Sequence, residues 1–170
     1  MKQLTLYKIL SIVLLPFAVL FGFSTLVALL VSLANPAILL PVFIMACFVI
    51  YTVSSMIFLQ KGITKMQPCK ASLKDWIKVN GYVCIFLGSM MFINSISLLA
   101  SKKADIKLIA DQMVASEMMQ QQHITTGMVL NMIETLSYVL MVFAAVLMLH
   151  VYMSFRYLKK YEHVFSIGKQ

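Results

Sequence analysis

Charged side chains are scarce in this sequence, and acidic ones most of all. Asp and Glu together number 6 among 170 residues. All charged residues make up 12% of the chain, against about 25% in an ordinary soluble domain. Apolar residues make up 61%, more than a soluble fold of this size can bury. Lipid must therefore be the solvent for much of the chain, which excludes an ordinary soluble protein.

Sequence motifs of the common enzyme classes are also absent. The chain has no glycine-rich phosphate loop, no Cys-x-x-Cys pair, no His-Glu-x-x-His motif and no nucleophile elbow. Only one acid, Glu134, lies in a long apolar run, whereas a membrane enzyme needs several polar groups at one depth. We therefore predict no enzymatic activity, no cofactor and no metal site. Cu(I) binding by Met113, Met118, Met119 and His123 is a minor alternative, because the 14 methionines are spread through the whole chain.

The 3 cysteines do not form a disulfide framework. Cys47 and Cys84 fall in apolar runs, and Cys69 falls in a lysine-rich connection on the predicted cytoplasmic side. None therefore lies on the oxidising side of a membrane. Cys69 is predicted to be a free thiol, with palmitoylation as the alternative.

Four apolar runs are long enough to cross a hydrocarbon core, which takes roughly 20 residues in a helix. They are Ile9–Leu33, Ala37–Leu59, Val79–Leu99 and Met128–Phe155. The first is too long for a cleaved signal peptide, and Asn35-Pro36 is expected to end its helix. The sequence predicts a single all-α membrane domain, residues 1–170, with four transmembrane helices in two antiparallel hairpins.

The basic residues predict the orientation of these helices. Of the 14 Lys and Arg, only Lys102, Lys103 and Lys107 lie between the third and fourth runs. The others flank the opposite ends of the runs, and most of them form a connection at 60–78 and the C-terminal tail. Because basic residues accumulate on the cytoplasmic side, both termini are predicted to be cytoplasmic, in an inner or plasma membrane. The same rule explains the net charge of +8, and no nucleic-acid partner is predicted.

The connection between the third and fourth runs, residues 100–127, is predicted to contain an outer helical segment. Leu, Ala, Met and Gln dominate 106–122, and neither Gly nor Pro interrupts it. Ile106, Ile109, Ala110, Met113 and Val114 form an apolar stripe at helical spacing.

Glu134 is predicted to belong to an intramembrane polar cluster with Asn94, Asn131, Ser137 and Tyr138. In an antiparallel pair of helices, Asn94 and Glu134 both lie roughly 8–9 Å below the outer boundary. Asn131, Glu134, Ser137 and Tyr138 fall within an arc of about 120° on the fourth helix. Asn94 falls on an arc of the third helix that contains small residues, which permit close approach. The two arcs are predicted to face each other.

Two interpretations of this cluster remain open. Either water reaches Glu134 from outside, or its carboxyl group is protonated at neutral pH. The cluster is then a proton or cation site, or else a hydrogen-bonded latch or partner contact. His150 lies about 160° around the helix from Glu134 and is interpreted as an interfacial residue outside this cluster.

The shortage of polar groups favours a non-enzymatic protein that acts by association. We expect an accessory or assembly subunit that sits in a lipid bilayer and contacts a membrane protein partner or further copies of itself. The outer segment, rich in Met and Gln, offers a docking surface. The alternative is a small oligomeric transporter or channel that uses Glu134.

Overall fold

A computed structural model describes residues 2–101, 103–115 and 125–166. Of these residues 91% are helical, and none lies in a strand. The prediction of an all-α chain is therefore confirmed.

Four helices are long and apolar enough to cross a membrane, as predicted. They cover Gln3–Ser32, Pro36–Thr64, Ala71–Ala100 and Thr126–Lys160. The elements are α1 (Lys2–Ser32), a 3₁₀ turn (Pro36–Ile38), α2 (Leu39–Ile57) with a π-helical extension (Phe58–Thr64), α3 (Ala71–Ala100), α4 (Lys103–Val114), α5 (Thr126–Lys160) and α6 (His163–Ser166). The pairing of the four long helices into two hairpins stays a prediction, and so does the single domain.

The turn between α1 and α2 follows from Asn35 and Pro36. The Oδ1 of Asn35 accepts a hydrogen bond from the backbone N–H of Ala37 at 3.2 Å, and Pro36 occupies the first position of the 3₁₀ turn. Proline has no N–H to lose at a helix start, and it disfavours helical backbone at the residue before it. The predicted end of the first helix is confirmed.

The chain divides into two compact units. The first unit comprises Met1–Leu87 and Val146–Gln170, and the second comprises Gly88–Ala145. In the first unit α1, α2, α3 and α5 each contribute fully buried side chains, including Leu14, Phe48, Ile77 and Leu147. All four long helices therefore contribute to the buried interior of this unit.

The short helix α6 packs on the connection between α2 and α3 within the first unit. The ring of Phe165, in α6, stacks on the ring of Phe58 with centroids 5.3 Å apart. The backbone N–H of Cys69 donates to the carbonyl of Val164 at 3.0 Å. Cys69, predicted as a free thiol, is thus both free and buried.

Gly81 marks a close approach of α3 to α5 in the first unit, and Gly81→Ala is expected to lower the stability of the protein. A Cβ at this position would lie 2.8 Å from Cε1 of Phe155. Overpacking of this kind costs about 1–3 kcal/mol. At Gly22, in contrast, an added Cβ would meet the side chain of Val49 at an ordinary 3.7 Å. Gly22→Ala should therefore gain up to about 1 kcal/mol of helix propensity.

Thermal unfolding of the two alanine variants beside the unchanged protein measures this difference. Both substitutions add the same methyl group inside a membrane-spanning helix, so propensity cancels between them. Stabilisation by both would contradict the close approach at Gly81.

In the second unit, α4 is attached to the start of α5. The hydroxyl of Thr126 donates to Oδ1 of Asp111 at 2.8 Å, and Ala110 and Val129 are buried. The predicted outer helix is present over Lys103–Val114. Its predicted continuation through residues 116–122 lies outside the described residues.

Candidate functional site

Four of the five residues of the predicted polar cluster, Glu134 included, line one cavity of the second unit. This cavity has a volume of about 280 Å³. Asn131, Glu134, Ser137 and Tyr138 line it, with Leu98, Leu99, Ser101, Ile106, Leu130 and Ile133. Asn94 does not line the cavity and is exposed, whereas its neighbour Ser95 is buried.

The carboxylate of Glu134 is exposed, and none of the described residues donates a hydrogen bond to it. The hydroxyl of Ser137 donates instead to the carbonyl of Ile133, one turn back in its own helix, at 2.8 Å. Neither Asn94 nor Asn131 is hydrogen-bonded to Glu134 in the described part of the chain. A carboxylate, an amide and a phenol thus line one cavity, and no hydrogen bond connects these three groups to each other. Their hydrogen-bonding capacity is therefore open to water or to another molecule.

No metal centre accompanies this cavity within residues 2–101, 103–115 and 125–166. No group of three His, Cys, Asp or Glu side chains in these ranges could hold a metal ion. Of the residues considered for Cu(I), Met118, Met119 and His123 lie outside the described ranges.

A second polar cluster lies in the first unit and surrounds His150, a residue interpreted from the sequence as interfacial. Its imidazole is fully buried. Nε2 lies 2.9 Å from the hydroxyl of Ser11, and Nδ1 lies 2.7 Å from the hydroxyl of Tyr51. The ring also stacks on Tyr7, with centroids 4.9 Å apart and an interplanar angle of 17°. Side chains from two other long helices, α1 and α2, thus contact the imidazole of α5.

The hydrogen bonds continue from Tyr51 through Ser154 back to Tyr7. The hydroxyl of Ser154 lies 2.8 Å from that of Tyr51 and 3.0 Å from that of Tyr7. The hydroxyl of Ser11 donates to the backbone carbonyl of Tyr7 at 2.8 Å. We call these five side chains the His150 network.

The donor directions in the His150 network follow from counting hydrogens. Ser11 has one hydrogen and gives it to the carbonyl of Tyr7, so it must accept from Nε2–H of His150. In a neutral imidazole Nδ1 is then the acceptor, and Tyr51 donates to it. Ser154 in turn donates to Tyr51 and accepts from Tyr7. Each hydrogen is used once, in a chain that starts and ends at Tyr7.

The His150 network contains no acidic side chain, and this determines the protonation state of the imidazole that the network favours. A buried imidazolium is costly unless a carboxylate pairs with it, so the neutral ring is the form that these hydroxyl partners suit. Among the described residues, no buried side-chain nitrogen or oxygen lacks a hydrogen-bond partner. The network is thus fully satisfied, and it links α1, α2 and α5 in one register.

Comparisons with known proteins give no match. No protein-family model, no curated protein and no solved structure matches the chain. Its function must be inferred from the two polar sites themselves.

A signal for the His150 network is present in the sequence. Tyr7 and Ser11 are four residues apart near the start of α1, and His150 and Ser154 are four residues apart in α5. Residues spaced in this way share one face of a helix. Two such polar pairs in otherwise apolar helices indicate that the two faces meet, because lipid offers neither face a hydrogen bond.

Proposed function

We propose that this chain is a non-enzymatic multi-pass membrane protein that acts by association, as an accessory or assembly subunit, with both termini in the cytoplasm. The four apolar helices are compatible with a multi-pass membrane protein. The observation that carries the finer proposal is the exposed carboxylate of Glu134 inside the span Thr126–Lys160. No described residue satisfies it.

A partner helix is one way to stabilise an exposed acid in a span. On insertion scales an acid at the bilayer centre costs ~2.5–3.5 kcal/mol, and less near the boundary. A hydrogen-bond donor from another transmembrane helix offsets part of this cost. The side chain thus supports association with a second membrane protein.

An apolar groove on another face of α5 in the second unit offers a further surface for association. It has a volume of about 560 Å³, and Met132, Leu136 and Val139 expose more than half of their surface along it. These residues are spaced at i, i+4 and i+7, so they form a stripe along α5. Asn131 lines both this groove and the cavity of Glu134. Helical spacing puts this stripe about 140–160° around α5 from Glu134, so a partner helix in the groove would contact a different face of α5 from the one that carries the carboxylate.

Glu134→Leu is expected to release the partner. The protein is purified through a tag from its own membranes in a mild detergent, and the stoichiometry of a foreign membrane subunit is measured by mass spectrometry. Loss of one charge-assisted hydrogen bond, worth about 1.5–3 kcal/mol, should weaken the complex about tenfold or more.

Asn94→Leu serves as the matched control for this experiment. Asn94 is a polar, exposed residue in a span of the same unit that does not line the cavity, so its removal should leave the complex intact. Equal recovery of the foreign subunit with both variants would refute the proposed role of Glu134. Recovery of the chain only as copies of itself would refute the accessory role.

The cavity also favours a second candidate function, a small oligomeric transporter that uses Glu134. Its carboxylate, amide and phenol are the groups expected of a proton or cation site in a membrane. The purified chain in liposomes, without any other protein, separates the two candidates. Proton or cation flux that Glu134→Gln abolishes would establish transport, whereas an inert chain supports association.

A further inference from the structure

A groove with a basic rim lies between the start of α3 and the end of α5, within the first unit. Its volume is about 250 Å³. It is lined by Lys74, Lys78, Tyr82, Phe155, Leu158, Lys159 and Glu162. We call it the basic groove. None of these residues belongs to the cavity of Glu134 or to the His150 network.

The basic groove is lined by lysines at one end and by aromatic rings at the other, because of the helical spacing of its residues. Lys74, Lys78 and Tyr82 follow each other at intervals of four residues on one face of α3. Phe155 and Lys159 stand in the same relation on α5. The rings of Tyr82 and Phe155 contact each other, with centroids 5.2 Å apart. The two rings form an apolar floor further into the membrane spans, and the lysines form the rim at the helix ends.

The three lysines of the rim carry more positive charge than the single carboxylate of Glu162 neutralises. Nζ of Lys74 donates to Oε1 of Glu162 at 2.6 Å. Lys78 and Lys159 have no salt bridge among the described residues. The hydrogen bond from Lys74 lowers the pKa of Glu162, and the ammonium groups of Lys78 and Lys159 lower it further. The groove is thus lined by three lysines and only one acid.

The depth of the groove in the spans determines which part of a lipid molecule it would contact. Lys74 and Lys78 lie in the first two turns of α3, and Lys159 lies in the last turn of α5. Trp76, in the same part of α3, is exposed, as is typical of an aromatic residue at headgroup depth. In a bilayer crossed by these helices, the rim would lie at the depth of the lipid phosphates and the floor at the depth where acyl chains begin.

We propose that the basic groove binds one anionic glycerophospholipid, with Lys78 and Lys159 donating to its phosphate and Tyr82 and Phe155 contacting the upper part of an acyl chain. The positive-inside rule needs only the number of lysines near a helix end. It does not need two unpaired ammonium groups over a shared pair of aromatic rings. A free phosphate would use the rim but not the apolar floor. Tyr82, two-thirds exposed within a span, gives the acyl chain a surface to cover.

The test compares lipids that share their acyl chains. Dioleoyl phosphatidylglycerol and dioleoyl phosphatidylcholine are titrated separately into the purified full-length protein, and bound lipid is counted by native mass spectrometry. The expected result is one tightly bound phosphatidylglycerol. Lys78→Gln with Lys159→Gln should weaken it at least about tenfold, because each lysine near a lipid phosphate adds several-fold to the affinity. Lys78→Arg with Lys159→Arg should retain it.

The control removes the same charge elsewhere. Lys65→Gln with Lys70→Gln deletes two exposed lysines that do not line the groove, and it should change the affinity less than about twofold. A loss as large as that of the groove pair would overturn the proposal in favour of general surface charge. Equal binding of phosphatidylcholine would overturn it as well.

A competition arm distinguishes the two sources of phosphate. Inorganic phosphate in large excess should leave the bound phosphatidylglycerol in place, because it gains nothing from the aromatic floor. Displacement by inorganic phosphate would overturn the assignment to lipid. This arm uses only the unchanged protein, so it decides even if the glutamine pair fails to fold.

Discussion

His150→Ala is expected to destabilise the protein by about 3 kcal/mol or more. The substitution leaves a void in a fully buried site. It also removes the acceptor of the Tyr51 hydroxyl and the donor to Ser11. A buried hydroxyl without a partner costs about 1–3 kcal/mol, and large-to-small core substitutions add about 2–5 kcal/mol. The apparent Tm of the purified protein in mild detergent should fall by about 6–12 °C.

The surface histidine of the same unit provides the control. His163, in α6, is exposed, so His163→Ala should change the unfolding free energy by less than about 0.5 kcal/mol. Equal Tm values for the two alanine variants would contradict the network.

Tyr51→Phe separates hydrogen bonding from packing in the His150 network. It keeps the ring but removes the hydroxyl that lies within hydrogen-bond distance of both His150 and Ser154. We expect the free energy of unfolding to fall by about 1–2 kcal/mol. This is more than the average of about 0.6 kcal/mol for a hydrogen bond between membrane helices, because both His150 and Ser154 lose a buried hydrogen-bond partner. Tyr152→Phe, in an exposed tyrosine of α5, should have no measurable effect. The difference in Tm between the two phenylalanine variants checks this.

The four membrane-spanning helices could be predicted because the relevant signal is local. A run of about 20 apolar residues specifies a spanning helix whatever surrounds it. The ends of the third helix show the limit of this signal. The apolar run begins only at Val79, whereas a capping box formed by Ser72 and Asp75 predicts a helix start near Leu73, and α3 begins at Ala71. Its first two turns carry lysines, which hydropathy does not count as part of a span.

The candidate site around Glu134 shows which part of a cluster a sequence can define. Asn131, Glu134, Ser137 and Tyr138 all belong to α5, so the period of one helix is sufficient to place them around one cavity. Asn94 belongs to α3, and its direction depends on how that helix is rotated. The structure buries Ser95 instead, one residue or about 100° away.

The His150 network was missed for the same reason. Its residues come from α1, α2 and α5, and each alone resembles an isolated polar residue in an apolar helix. The polar pairs at i, i+4 indicate the contact only when two helices are compared. The burial of His150 thus depends on how α1, α2 and α5 pack against each other, and the periodicity of one helix does not predict this packing.

Phe165→Ala is expected to raise the rate of Cys69 modification by N-ethylmaleimide about a hundredfold. Cys69 is 5% exposed, and Phe165, stacked on Phe58, is 4% exposed. Removing a buried phenyl ring costs about 3–5 kcal/mol. If α6 then opens from the 58–69 connection as a local unit, about 3 kcal/mol corresponds to a hundredfold larger open population.

The pH dependence of this reaction has a definite sign. Burial raises the pKa of the Cys69 thiol, and the nearby ammonium of Lys61 opposes this in part. Only the thiolate reacts, so the unchanged protein should become reactive at higher pH than an exposed cysteine does. In the Phe165→Ala variant the solvated thiol returns toward its ordinary pKa. The ratio of the two rates should therefore be largest near neutral pH and shrink as the pH rises.

Peptide mass spectrometry of membrane vesicles measures the labelling at each cysteine separately. Cys47 and Cys84 are buried within the spans, so they should stay unmodified in both proteins and report that the helices remain folded. Phe23→Ala is the matched control, because Phe23 is a largely exposed phenylalanine of α1. Its removal should leave the rate at Cys69 unchanged. Equal acceleration by both alanine variants would show general loosening of the helices, and no acceleration by Phe165→Ala would show that α6 does not cover the thiol.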